Sequence, residues 1–207
     1  MINLTKENRD SLTPDMAIQL LKDGNLRFVN NLKINRNLLQ QVNDTSEGQH
    51  PFAIILSCID SRTSAELIFD QGLGDIFSCR IAGNILNDDI IGSMEFACKI
   101  AGAKLIMVLG HGGCGAIQGA CSGVKMGKLT KLIKKIIPAV KLEKSAGKDS
   151  DSQGALFEDR VALRNVKMTI VDIEKRSKIL RKLKADNEIA IVGGFYDVTS
   201  GVVEFEE

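Results

Sequence analysis

Phe52-Ala53-Ile54-Ile55-Leu56-Ser57 and Lys104-Leu105-Ile106-Met107-Val108-Leu109 are two apolar runs, the first followed at once by Cys58 and the second, after Gly110, by His111, side chains able to bind a metal. Runs this short and this continuously apolar read as strands buried on both faces, the pattern of a parallel sheet covered by helices. Working outward from the first run, Ala65 to Gln71 reads as a short helix closed by Gly72, and Asp75 to Ile81 as a second strand followed by Gly83-Asn84. Asp89 to Ala101 is amphipathic, with Ile91, Met94, Ala97, Cys98 and Ala101 on one face; Phe96 falls off that stripe and calls for a second surface to bury against. Beyond the other run, a glycine-rich turn leads into a helix starting near Cys114. Gly127 to Ile137 and Leu156 to Leu183 read as helix, the latter behind a cap-like Ser152, with a polar, flexible linker from Ser145 to Gly154 between them. Glu188 to Phe195 and Val202 to Phe205 are late strands joined by a hairpin-like turn through Asp197 and Gly201.

At the N-terminal end, Thr13 is placed to cap a helix with Pro14 in its first turn, and Asn30 to Gly48 reads as an irregular, asparagine-rich connection. Alternating strands and helices give an α/β fold, with a mainly parallel four- to five-stranded sheet flanked by helices. The 207 residues suit one domain, with residues 1–48 as an N-terminal helical arm and residues 49–207 as the α/β core.

A formal net charge of +1 gives no electrostatic reason to expect nucleic acid or an anionic membrane as partner. The five lysines from Lys125 to Lys135 alternate with leucine and isoleucine and read as the solvated face of an amphipathic helix. The first residues lack the basic-then-apolar pattern of a secretory leader and no apolar run approaches a membrane span, so the expectation is a soluble, cytoplasmic protein. The cysteines number five, at positions 58, 79, 98, 114 and 121; an odd count in a chain of this size argues against a disulfide framework.

Two clusters carry chemistry. In Cys58-Ile59-Asp60-Ser61-Arg62, extended geometry continued for two residues points Cys58 and Asp60 the same way, and Arg62 is placed to hold the carboxylate by a two-pronged pair. Taken alone, the cluster is equally readable as a buried cysteine beside a surface ion pair. In His111-Gly112-Gly113-Cys114-Gly115, a histidine and a cysteine three apart in a flexible turn can face one ion; a phosphate loop is a poor rival, because its lysine is missing. Together they offer two soft sulfurs and one imidazole, which suits zinc with three protein ligands and one open position.

These motifs resemble those of β-class carbonic anhydrases, whose C-x-D-S-R stands here as residues 58–62 and whose H-x-x-C-G as residues 111–115. The likeness extends through Leu21 to Phe28, Phe69 to Asp75, Arg80 to Asn84, Gly92 to Phe96 and Gly193 to Asp197. It implies one zinc per chain on Cys58, His111 and Cys114, and reversible hydration of CO2 to bicarbonate by a zinc-bound hydroxide. Asp60 would accept the hydroxide's hydrogen bond and Arg62 would keep Asp60 ionised; in a closed state Asp60 itself would ligate the metal. The resemblance further implies a substrate pocket from Gln49, Phe77, Ala82, Phe96 and Gly115, with Gln49 and Phe77 acting across a homodimer interface, and a dimer or a tetramer of the chain.

Two departures from the family pattern stand out. Members inhibited by bicarbonate at a second site carry tryptophan three residues before the first cysteine; here that position is Ile55 and the chain has no tryptophan, which implies the readily active type. Thr63 replaces a commoner valine, with little consequence expected. His50 reads as a loop residue rather than a proton shuttle, Cys79, Cys98 and Cys121 as buried free thiols, and Arg80 and Glu95 as structural ion-pairing residues. Two other readings remain: a relative acting on CS2 or COS, and a zinc-stabilised scaffold or sensor, against which the retained Asp60 and Arg62 argue.

Overall fold

The computed structural model describes residues 5–146 and 155–206. Among these, the strands β1 (Ala53–Ser57), β2 (Ile76–Arg80), β3 (Leu105–His111), β4 (Ala190–Tyr196) and β5 (Val203–Glu206) form one sheet in the order β2-β1-β3-β4-β5. The first three pairings are parallel and β4–β5 is antiparallel, closed by the expected turn, in which Gly201 takes a left-handed φ of 80°. This agrees with the mainly parallel, helix-flanked α/β reading.

The continuous apolar runs divide by alternation, as a sheet covered on both faces requires. Ile54, Leu56, Ile106 and Val108 point to one core, shared with α5 (Asp88–Glu95), α9 (Ala155–Arg176) and α10 (Lys178–Ala185) through Met94, Val166, Ile173 and Leu180. Ala53, Ile55, Leu105, Met107 and Leu109 point to the other, against Ala17 and Leu21 of α2 (Pro14–Val29) and Ile68 of α4 (Ala65–Ile68). A third cluster covers the carboxyl ends of the strands. It joins Cys58 and Cys114 to Ile117 of α6 (Gly115–Cys121), Ile133 of α7 (Gly127–Ile133), Ala139 of α8 (Ile137–Ser145) and Phe157.

Sheet order reverses direction at β1: the chain steps to β2 on one side, then crosses to β3 on the other. The crevice outside the carboxyl ends of two strands at such a reversal is where open α/β sheets place ligands. Cys58 follows β1 directly and His111 ends β3.

Element boundaries depart from the sequence pattern in several places. The connection from Asn30 to Gly48 contains a helix, α3 (Leu38–Asp44), capped by the Asn37 side chain accepting from the Gln40 N–H. Ahead of α2, whose Thr13 cap is as expected, stands a further short helix, α1 (Lys6–Asp10). Residues 156–183 are two helices, because Ser177 leaves the helical region, receives the Leu180 N–H and donates its hydroxyl to Glu95. Residues 127–137 likewise split between α7 and α8. Strand β3 runs two residues further than expected, to His111. The Lys125, Lys128, Lys131, Lys134 and Lys135 side chains are exposed as expected, while Ser152 and most of the linker lie outside the described residues.

The segment before β1 is fastened through one carboxylate. Buried Asp70 accepts from Arg36 and from the Arg27 Nε at 2.5 Å, and from the Ile34 N–H at 3.2 Å. Burial raises its pKa, but the two guanidinium groups and the N–H outweigh that and hold it below the usual carboxylate range. Its contribution is therefore present above the unfolded-state pKa and is lost as pH falls through the lowered folded value. Asp70→Asn, which leaves two cations partly uncompensated, is expected to cost about 3 kcal/mol of unfolding free energy in urea titrations near neutral pH.

Candidate metal centre

The strand ends and two tight turns assemble the site. Cys58, His111 and Cys114 are 4%, 1% and 2% exposed, and their donor atoms all lie within 4.8 Å of one another. The Cys58 and Cys114 sulfurs are 3.9 Å apart. Two sulfurs each about 2.3 Å from one tetrahedral centre would be separated by about 3.8 Å, so the spacing suits a shared zinc.

His111 is oriented by its Nδ1, which lies 2.9 Å from the Gly112 carbonyl. That contact makes Nδ1 the donor and leaves the Nε2 lone pair facing the sulfurs. His111 Nε2 is buried without a hydrogen-bond partner. An orphaned imidazole nitrogen in a pocket with two thiols is costly unless it serves as a ligand. The residues present therefore fit zinc: soft donors, a fixed tautomer and a nearly dry enclosure.

The thiols are tuned unequally. The Cys114 thiol beside it pulls the Cys58 pKa down; burial opposes this, and the Gly83 N–H adds to the lowering. Cys114 is pushed up by the Cys58 sulfur and by burial. Two adjacent buried thiolates are thus unfavourable by themselves, and a dication relieves the repulsion between them. Gly83 donates its N–H to the Cys58 sulfur at 3.3 Å from a left-handed turn, φ 65°. The left-handed φ favours glycine, and a Cβ at Gly83 would come within 2.7 Å of the Ile136 Cδ1, which would have to shift. Sequence reasoning misses this contact, although a glycine just past a strand end is its visible signal.

Asp60 does not extend the strand alongside Cys58 as expected. Strand β1 stops at Ser57, and Asp60 heads a turn closed by the Thr63 N–H to its carbonyl at 3.0 Å. Its carboxylate is gripped by Arg62 through Nε and Nη2, both at 2.9 Å, and by the Arg62 backbone N–H at 3.0 Å. Arg62 holds the Asp60 pKa well below the usual carboxylate range, with burial opposing. Asp60 is therefore an ionised acceptor beside the cysteine–histidine group and, in this arrangement, outside it.

Arg80 does not form the structural ion pair expected of it. Instead its Nε donates to the Cys58 carbonyl at 2.9 Å and its Nη2 to the Asp60 carbonyl at 2.5 Å. Thr63, expected to matter little, is buried and donates its hydroxyl to the same two carbonyls, at 3.1 and 2.9 Å. A valine there could make neither bond. Glu95, also expected in an ion pair, accepts from Ser177.

The other residues singled out lie apart or at the rim. Ala82 and Gly83 belong to the turn after β2, and Gly115 opens α6 with free space on its Cα. Gln49 and His50 sit at the opposite end of β1, which spans about 16 Å, on a cavity of about 520 Å³ with Asp44, Gly74 and Asp75. Phe77 packs edge-on against Phe96, ring centroids 6.3 Å apart. Phe96 is 53% exposed, so among the described residues it lacks the second burying surface expected for it. Of the spare cysteines, all free, Cys98 is buried and pushed up to about 12 by burial, whereas Cys79 and Cys121 are only half-buried, contrary to expectation. Ile55 is fully buried on the α2 side of the sheet. Among the described residues, no helix is long and apolar enough to cross a membrane.

Comparisons with known proteins agree with this geometry. The family model described as carbonic anhydrase matches residues 53–203. The chain is 32% identical over 197 residues to a carbonic anhydrase of Mycolicibacterium smegmatis, covering 92% of each. It is 35% identical over 196 residues to carbonic anhydrase 2 of Mycobacterium tuberculosis, covering 91% of this chain and 90% of that one. In fold it is similar to a β-carbonic anhydrase of Aspergillus fumigatus, with a TM-score of 0.73 at 24% identity over 82% of this chain and 81% of that one. It is also similar to the tetrameric β-carbonic anhydrases of Sordaria macrospora, with a TM-score of 0.71 at 22% identity over 80% of this chain and 89% of that chain. With the cysteine–histidine–cysteine group at the sheet's switch point and the match running through both motifs, the chain belongs to the carbonic anhydrase family, in its β class.

Proposed function

We propose that the protein reversibly hydrates CO2 to bicarbonate and a proton, with one zinc held by Cys58, His111 and Cys114. The observation that carries this reading is the buried, unpartnered His111 Nε2 facing two sulfurs, with an ionised Asp60 beside them. Zinc, when bound, supplies a Lewis acid that makes hydroxide available near neutral pH.

The chain's own residues then do the orienting. Asp60, ionised and acceptor-only, takes a hydrogen bond from the attacking oxygen and aims its lone pair at the carbon. Arg62 keeps that carboxylate charged and fixed through a two-pronged pair. Released from Arg62, Asp60 would serve as a fourth metal ligand and close the site. Gly83 steadies the Cys58 thiolate.

The substrate pocket is completed by a second copy. Gln49 lies at the other end of β1 from Cys58, and Phe77 and Phe96 line a separate cavity with Cys79, while Ala82 and Gly115 are chain neighbours of Gly83 and Cys114 at the metal group. Exposed Leu26, Leu32, Leu38, Leu39 and Val42 give the first 48 residues an apolar surface for embracing that copy, and the homodimer is the smallest complete unit, itself able to pair into a tetramer. Five free cysteines suit a reducing, cytoplasmic compartment.

Stopped-flow CO2 hydration with a pH indicator, from about pH 6.5 to about pH 9, tests the reading on protein of known zinc content. Turnover that rises with pH at one zinc per chain is the expected result. Fully zinc-loaded protein without turnover at any pH would overturn it.

A further inference from the structure

We propose that Arg80 is a positioning residue for Asp60, acting through the backbone and not through the carboxylate. Its guanidinium lies along the turn with Nε 2.9 Å from the Cys58 carbonyl and Nη2 2.5 Å from the Asp60 carbonyl. One rigid fork thereby ties the backbone of a metal-binding residue to that of the acceptor two positions on. The buried Thr63 hydroxyl shares its one hydrogen between the same two carbonyls, at 3.1 and 2.9 Å, and the Thr63 N–H also donates to the Asp60 carbonyl.

The brace follows from the sheet. Arg80 is the last residue of β2 and pairs in register with Ser57, the last residue of β1. The Ile81 N–H continues the ladder to the Ser57 carbonyl at 3.1 Å. The edge strand therefore sets the guanidinium beside the point where β1 gives way to the turn. Between the two braced carbonyls, Ile59 projects outward and is exposed, so side-chain packing does little to fix this turn. Its conformation rests on donors from Arg80, Thr63 and Arg62. Movement of the Asp60 backbone would carry the carboxylate off Arg62 and off its line to the metal group, and small misplacements of an orienting group are expensive in rate.

The inference rests on the proposed roles of Cys58 and Asp60, so its test reads two things separately. Arg80→Lys keeps the charge and length but, as a single point donor, cannot span both carbonyls. Because the Thr63 N–H still serves the Asp60 carbonyl and its hydroxyl can serve that of Cys58, neither is orphaned and the variant should fold. At full zinc loading, kcat for CO2 hydration is expected to fall about tenfold with KM changed less than about threefold, the sign of lost orientation and not of lost binding. In metal-free protein, amide hydrogen exchange at Arg62 and Thr63 should speed up by about tenfold, since their N–H groups bond to the carboxylate and carbonyl that Arg80 holds in place. Thr63→Val should show the same two changes in weaker form, and Thr63→Ser, which keeps the hydroxyl, should restore both.

A purely structural Arg80 would lower thermal stability while leaving kcat per bound zinc unchanged. A kcat within about twofold of the parent at full zinc, or exchange at Arg62 and Thr63 that does not change, overturns the proposal. Parent protein that binds zinc but does not hydrate CO2 would sink the functional reading, and the exchange measurement would still decide whether Arg80 holds the turn.

Discussion

Cys114→Ser is expected to lower bound zinc from one per chain to below about a tenth, and CO2 hydration below about a thousandth of the parent rate. The substitution is almost isosteric, and Cys114 sits 2% exposed at the head of α6, so the fold should survive it. What changes is the donor. A serine hydroxyl keeps its proton near neutral pH and is a harder, weaker ligand than a thiolate. It leaves Cys58 and His111 as two donors, one short of the three protein ligands that hold a catalytic zinc. The serine would also remove the thiol that lowers the Cys58 pKa, so the remaining sulfur binds a cation less readily. Metal analysis after dialysis, with circular dichroism as the check on folding, reads the result. Full zinc occupancy in a folded Cys114→Ser protein would remove Cys114 from the ligand set.

The ligand set is legible in the sequence because each of its residues ends a buried strand or follows one closely. The apolar runs that announce β1 and β3 also announce where the chain must emerge from the sheet, and Cys58, His111 and Cys114 stand there. Sheet class follows for the same reason: both runs are too continuous to have a solvent face, and the structure divides them between two cores residue by residue. Helix α3 is hidden for the opposite reason. Leu38, Leu39 and Val42 are exposed while Gln41 is buried, so its pattern is inverted for a helix packed on its own chain. The break at Ser177 depends on Glu95, eighty-two positions away, and no local pattern encodes that. Arg80 and Thr63 escape a sequence reading because both act on backbone carbonyls. A residue's type suggests charge partners among side chains; it says nothing of a carbonyl that a turn will bring within reach. The pocket residues Gln49, Phe77 and Phe96 are a further case, since their proposed role depends on a second copy of the chain.

Asp60→Asn should separate orientation from metal binding. The variant is expected to keep one zinc per chain and lose kcat by about a hundredfold or more, comparable with removing an orienting or charge-stabilising group elsewhere. The asparagine side chain would match the shape of the carboxylate, so the turn closed by the Thr63 N–H and braced by Arg80 at the backbone carbonyl of position 60 should persist. Its chemistry differs in two respects. The carboxylate has acceptor sites enough for Arg62 Nε, Nη2 and backbone N–H together with the attacking oxygen's hydrogen. An amide has one acceptor oxygen and two N–H donors. Turned so that its oxygen faces Arg62, it presents donors to the nucleophile; turned the other way, it presents donors to a guanidinium that already has only donors. Either orientation loses an interaction on which the proposed mechanism depends, and Arg62 is left with its charge uncompensated. The expected signature is a lowered rate across the whole pH range at full zinc, because Asp60 is ionised throughout it in the parent. Turnover within about threefold of the parent would show that the acceptor of the nucleophile's hydrogen bond is some other group. Loss of zinc in the variant would instead make Asp60 a contributor to metal binding, the role assigned to it only in the closed arrangement.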